Sequence, residues 1–272
     1  MGQQHRRTGG AFAAFAAVGL MAVAAGCSDS GAAADAHGAG DPGDAVRRTA
    51  DSLVRAGSSK ASTSMEMASG GTRVTIRGRG VYDFGRQRGR FEVVLPQDPA
   101  GDDGHRPITE LLTAGALYMK NRGAGVPADK WVRIETRSLS DGNLVTGGAT
   151  DPLAAAELLR GAREVTYVGD ERVGGVEVRH YRGVADIRRA AAAASAGQRG
   201  ALAAAAGKGF SRKGVPFDVY LDERGRARKM RQQFKVADAN VASTTLLYGF
   251  GAPAEVRLPA DKDIFAGKIA EQ

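Results

Sequence analysis

The sequence predicts an α+β fold built on a long antiparallel meander. Two observations carry this. From Met65 onward most apolar residues alternate with polar ones in short runs bounded by glycine-containing turns, and three stretches repeat at helical spacing instead. Strands that follow one another with a few helices set apart, rather than alternating with them, mark an antiparallel sheet.

The elements follow in order. Asp44 to Ala56 reads as a helix, with Asp44 as cap, Val46, Ala50, Leu53 and Val54 at helical spacing, and Gly57 as the stop. Met65 and Met67, then Val74 and Ile76, flank Gly70-Gly71 as two strands of a hairpin. Val81 to Phe84 and Arg90 to Leu95 are strand segments, the second with Phe91, Val93 and Leu95 on one face. Ile108 to Lys120 and Trp131 to Glu135 add two or three short strands around the Gly123-Ala124-Gly125 loop. Asp151-Pro152 opens a second helix, Asp as N-cap and Pro in the first turn, which Gly161 ends; its buried stripe is Leu153, Ala156 and Leu159, with Leu158 at its margin. Arg163 to Gly169 and Val176 to Val184 form a hairpin around Val173-Gly174-Gly175. Asp186 to about Ala206 is Ala-rich and reads as a helix broken near Gly197 and Gly200. Phe217 to Asp222 and Arg226 to Val236 make a long hairpin across Glu223-Arg224-Gly225, and Val241 to Phe250 is the last strand.

The N-terminus reads as an address. Arg6-Arg7 precede the uninterrupted apolar run Ala11 to Ala25, too short to span a bilayer, and small residues lead to Gly26-Cys27. Ala24-Ala25-Gly26-Cys27 resembles a bacterial lipobox, with Ala24 where most carry Leu. On that reading residues 1–26 are a lipoprotein signal peptide and Cys27 is the lipid anchor, its thiol being the nucleophile that takes the diacylglycerol. The alternative is a plain secretory signal followed by a free thiol. Residues 27–43, Cys27 and the Ala/Gly/Asp-rich stretch after it, form a tether, and 44–272 fit one domain better than two.

Composition excludes several function classes. The 272 residues are 43% hydrophobic and 25% charged, which is globular. One Cys rules out a disulfide framework, a Cys zinc cluster and a CxxC redox pair, and the four His lack metal-ligand spacing, so no metal and no cofactor is expected. G-x-S-x-G and the S-x-x-K set are absent, and Gly207-Lys208-Gly209 lacks phosphate-loop spacing. His180 has no nucleophile motif beside it, and Asp222-Glu223 occupy a hairpin turn and point to opposite faces. No catalytic residue is therefore assigned and no enzyme is expected. The formal charge is +8, or +6 once residues 1–26 with Arg6 and Arg7 are removed, and in an exported chain without RRM, KH or zinc-finger patterns it points away from nucleic acid. It suits attraction to anionic headgroups or wall polymers, or simply a solvated basic face.

The order of motifs resembles the actinobacterial LppX/LprG-type lipoproteins, relatives in fold of the LolA and LolB carriers. The matching pieces are Leu117-Tyr118-Met119-Lys120 with Lys130-Trp131-Val132-Arg133-Ile134, Val168-Gly169-Asp170-Glu171 through Gly174-Gly175 to His180-Tyr181-Arg182-Gly183, and Phe217-Asp218-Val219-Tyr220-Leu221-Asp222 with Gly225-Arg226 and Arg228-Lys229. The family usually has Trp where Tyr220 stands. The resemblance implies a strongly curved antiparallel sheet, a half-barrel whose concave side is closed by helices, holding acyl chains of a glycolipid or lipoprotein in better-understood members. It implies an envelope lipoprotein on the outer face of the cytoplasmic membrane, with a glycolipid or phospholipid ligand and no covalent chemistry. The competing expectation is a sensor or scaffold that binds another envelope protein, its interior filled by its own side chains. Met65, Met67, Phe91, Val93, Leu95, Phe217, Val219 and Leu221 are candidates to line an acyl-chain cavity, and the same spacing equally describes ordinary core.

Overall fold

The structure is a computed structural model. It describes residues 40–95, 107–121, 125–147, 149–208, 210–211, 213–236 and 239–267, so the expected signal peptide, Cys27 and most of the tether lie outside the described residues. Residues from Gly40 onward share one apolar core.

Eleven antiparallel strands make one sheet: β1 (Ser58–Ser69), β2 (Thr72–Asp83), β3 (Arg88–Val94), β4 (Ile108–Thr113), β5 (Ala116–Lys120), β6 (Trp131–Glu135), β7 (Ala162–Val173), β8 (Val176–Ala185), β9 (Val215–Leu221), β10 (Ala227–Val236) and β11 (Ala239–Tyr248). In space they run β6-β5-β4-β3-β2-β1-β11-β10-β9-β8-β7. Two consecutive meanders thus meet where the first strand pairs with the last, Thr63 opposite Thr245. The fold is α+β, a curved and unclosed antiparallel sheet with its helices on one face, as the sequence predicts.

Alternation explains which face is which. Across one row Tyr181, Val219, Met230, Thr245, Thr63, Gly78, Val93 and Ile108 stand side by side, and all are buried. One residue along, Arg182, Asp218, Arg231, Thr244, Ser64 and Arg77 face outward.

The chain must travel from edge strand β6 to the opposite edge β7, and residues 136–161 make that crossing over the inner face. Its stations are fixed by buried polar groups. Ala149 N donates to the Glu110 carboxylate of β4 (3.0 Å), the Thr150 and Ser243 hydroxyls meet at 2.6 Å on β11, and Gln232 Nε2 of β10 donates to Ala155 O (2.7 Å). Gly78 leaves room for the strap, since a Cβ there would lie 3.2 Å from that of Ala149. Leu144 and Ala149 are buried to 1% and 0% exposure, so the strap itself is core.

Helix α3 (Pro152–Leu158) ends the crossing, capped by Asp151, which accepts from Leu153 N (2.8 Å) and Ala154 N (3.2 Å); every one of its residues is buried. The sequence places this start correctly. It places the first helix less well: α1 (Pro42–Arg47) begins at Pro42 with Asp41 accepting from Gly43 N, and α2 (Thr49–Ala56) follows after Arg48. Asp44 is not a cap but pairs with Arg47 at 2.6 Å. The Ala-rich stretch divides at Ala194-Ser195 into α4 (Ile187–Ala193) and α5 (Ala196–Gly207), not at its glycines. Gly197 sits inside α5 because a Cβ there would lie 2.2 Å from Gln87 Oε1 and 2.9 Å from the Ala114 methyl.

The outer edges are not left bare. Phe265 N donates to Trp131 O (2.8 Å), laying the C-terminal segment on β6, and Arg47 Nη1 of α1 donates to Ala162 O at the start of β7 (3.3 Å).

Candidate ligand cleft

A cleft opens where β9 and β10 part company. Their pairing stops at Phe217 opposite Gln232, yet β10 continues to Val236. Pro216 cannot donate to a ladder on that side, and Gly214, at φ +89°, turns the incoming chain away. Lys235 N donates to Ser211 Oγ (3.2 Å) and Phe210 stacks on Phe234 with centroids 5.4 Å apart, which holds the far wall in place. The resulting space is about 680 Å3, bounded by Phe234, Val241, Pro216, Ala68 and Ala242.

Four cations reach this space, Arg73 from β2, Arg231 and Lys235 from β10, and Lys213 from the preceding loop, against one acid, Glu66. None of the five belongs to an ion pair among the described residues. An apolar floor with unneutralised cations at its rim suits a molecule with an acyl portion and an anionic group.

The eight candidate lining residues are distributed differently. Met65, Phe91, Val93, Phe217, Val219 and Leu221 are 0–3% exposed and belong to the core cluster, while Met67 (36%) and Leu95 (40%) reach the surface. None of the eight lines the cleft; Phe234 and Val241, their neighbours on β10 and β11, do. Sequence reasoning passes over Arg73, Lys213 and Lys235. The available signal is the basic, glycine-interrupted stretch before β9, which fails as a phosphate loop and yet supplies Lys213 to the rim.

His180 proves to be a structural clamp, as its sequence context suggests. Its Nδ1 lies 2.7 Å from Glu171 Oε1 and its Nε2 2.8 Å from Asp218 Oδ1, while the ring stacks on Tyr220 at 4.2 Å. With a carboxylate at each nitrogen, neither is available to a substrate. Asp222 is a turn residue: it accepts from Arg224 N and Arg226 N (3.1 and 3.0 Å), and the Arg226 and Arg228 guanidinium groups bind it and lie over Phe250. Burial pushes its carboxyl up, and hydrogen bonds from Arg226, then Arg228, bring it below the usual carboxylate value. Among the described residues no cluster of His, Cys, Asp or Glu is placed to hold a metal ion, and no helix is long and apolar enough to cross a membrane.

No family model and no curated protein matches the chain. Among solved structures it is similar to the Mycobacterium tuberculosis lipoprotein LppX, at 10% identity over 79% of this chain and 98% of that one, TM-score 0.47. LprF from Mycobacterium bovis matches at 12% identity over 80% and 97% of the two chains, TM-score 0.40. A LolA superfamily protein from Nitrosomonas europaea matches at 11% over 79% and 96%, TM-score 0.32. Likeness at this level is one of chain path and carries no functional inference.

Proposed function

We propose that this is a membrane-tethered envelope lipoprotein that binds an anionic, acyl-bearing molecule in the cleft between β9 and β10. One observation carries the reading: an approximately 680 Å3 space with apolar walls is rimmed by Arg73, Lys213, Arg231 and Lys235, none of them neutralised by an ion pair among the described residues. That volume falls in the usual range for small-ligand sites. Each acyl methylene buried contributes about 0.8 kcal/mol, and a phosphate or carboxylate at the rim gains charge-assisted hydrogen bonds. Tethering through Cys27 rests on the lipobox-like Ala24-Ala25-Gly26-Cys27. The reaction class is binding, without covalent chemistry.

The test is native mass spectrometry with organic extraction of residues 28–272 from an actinobacterial host, followed by titration with dodecyl phosphate below its micellar concentration. Extractable lipid, and uptake of the probe that weakens at least tenfold in Arg231→Gln/Lys235→Gln, are expected. A clean apo mass with no probe uptake refutes ligand binding.

A second reading is an envelope scaffold or sensor that binds another protein. The sealed inner face favours it, because the strap and α3 occupy the concave side on which a carrier of this outline would hold its cargo. The clean apo mass would be its first support.

A further inference from the structure

We infer that the end of the sheet bearing the cleft is a docking surface for an anionic phospholipid bilayer. This extends the proposed function by giving the tethered protein an orientation, and it rests chiefly on Arg163, Arg188 and Lys208, which do not line the first cleft. Arg163, Arg188 and Lys208 line a second cleft of about 590 Å3 that shares Ser211, Lys213 and Gly214 with the first. Arg188, Lys208 and Lys213 are exposed and Arg163 is half-buried, so all four meet solvent. Among the described residues the acids at this end are Glu66, Glu164, Asp186, Asp41 and Asp44. Glu66 is in no ion pair among the described residues, Glu164 is exposed beside Arg163, Asp186 stands 3.9 Å from Arg163, and Asp41 and Asp44 are both taken by Arg47.

The second observation is where the chain enters. Arg47 binds Asp41 through Nη2 (2.8 Å) and donates through Nη1 to Ala162 O (3.3 Å), the residue before Arg163. The N-terminal end of the described chain is therefore at the cationic end of the sheet, one guanidinium away from the second cleft. A tether through Cys27 would therefore join the fold at its cationic end. At the opposite end the cleft at the β7–β8 hairpin is acidic, with Asp170, Glu171, Glu177 and Glu223 against Arg172 and Arg179, while exposed Arg86, Arg88 and Arg224 stand elsewhere at that end. A bilayer supplies both the negative charge and the flat extent to meet two adjoining clefts at once.

The experiment uses residues 28–272, which carry the whole described core without an anchor. Co-sedimentation is measured with vesicles of phosphatidylcholine alone and with 30% phosphatidylglycerol, at low and high salt. Binding only to the anionic vesicles, lost at high salt, is expected. The variant Arg163→Gln/Arg188→Gln/Lys208→Gln should weaken it about 100-fold, from roughly fivefold per cation, while dodecyl phosphate uptake by the other cleft is unchanged. Should that variant misfold by circular dichroism, Arg188→Gln/Lys208→Gln, both exposed, should still weaken binding about 25-fold. Equal binding to neutral vesicles, no binding to anionic ones, or an unaltered affinity in the variants overturns the docking surface. Vesicle binding as expected with no dodecyl phosphate uptake leaves docking standing and removes the ligand site instead.

Discussion

Replacing Arg160 by Met isolates an ionic clamp that joins two helices of the inner layer. Arg160 Nε donates to Glu157 Oε2 (2.6 Å) on α3, and its two Nη groups reach across to both oxygens of Asp51 (2.5 and 3.2 Å) on α2. The two arms differ in worth because their partners differ in burial. Asp51 is 46% exposed, so that arm contributes about 0.5 kcal/mol. Glu157 is 1% exposed, and stripping the partner from a buried carboxylate costs about 3–5 kcal/mol. Ser195 N still donates to Glu157 (3.2 Å), which favours the lower end. Met keeps the packing of the stem, so the loss is one of charge, about 3 to 4 kcal/mol in all. For a domain of this size each kcal/mol lowers Tm by about 2–4 °C, hence a fall of roughly 10 °C in a circular dichroism melt. The double variant Arg160→Met/Glu157→Gln removes the stranded charge and should regain more than half of the fall. A drop under about 3 °C, or a double variant no better than the single, refutes the assignment of the cost to the buried Glu157.

Three further outcomes follow from the packing and the carboxylates. Gly161→Ala puts a methyl 2.1 Å from Asp186 O and 2.9 Å from Ala190 N, both backbone, and should destabilise by about 3 kcal/mol, whereas Gly200→Ala, with only Arg137 Cβ at 3.9 Å, should stabilise α5 by about 0.5–1 kcal/mol in urea titrations. Asp222 titrates below its ordinary value in the folded state, so its stabilisation is present above about pH 4 and fades as pH falls through the lower folded pKa; Asp222→Asn should cost about 2 kcal/mol at pH 7 and progressively less as pH falls below about 4. Asp151 has the opposite sign. Burial pushes its carboxyl above the ordinary carboxylate value, against hydrogen bonds led by Ala154 N, so its charged form weighs against folding at neutral pH. Asp151→Asn, which keeps a capping acceptor, should be at least as stable as the parent at pH 7 and lose any gain on acidification, while Asp151→Ala should cost about 1–2 kcal/mol.

What the sequence reveals of this fold is what is local. Gly70-Gly71 and Gly174-Gly175 carry paired positive φ values (55° and 85°, 58° and 81°), the backbone that a two-residue hairpin turn requires and that glycine adopts freely, so both hairpins are legible from the dipeptide alone. Asp151-Pro152 is legible for the same reason, and Asp41-Pro42 carries the same signal in a stretch that otherwise reads as tether. The strap is not legible. Its order comes from Asp141, which gathers the N–H groups of Asn143, Val145 and Thr146, and from distant anchors at Glu110 and Ser243, and neither produces a hydrophobic period. The inner-face residues are recognisable as an apolar face, but alternation is blind to what covers it, and here a strap and a wholly buried helix do. The cleft escapes for a related reason: it exists because two paired strands diverge, a property of neither strand by itself.

The seam between β1 and β11 has a consequence for how such a chain comes into being. Lys60 faces Tyr248 and Ala68 faces Asn240, so the middle of the sheet joins segments 172 to 188 residues apart, the slowest kind of contact to form. A ribosome or a translocation channel releases the first meander long before its central neighbour exists. In the interim β1 offers an unpaired edge, and Lys60, Ser62, Ser64 and Glu66 along it discourage other chains from taking the vacancy. Any chain cut short before Ala239 would keep that vacancy for good. Completion is a single late event, in which the last strand arrives and two half-sheets become one molecule.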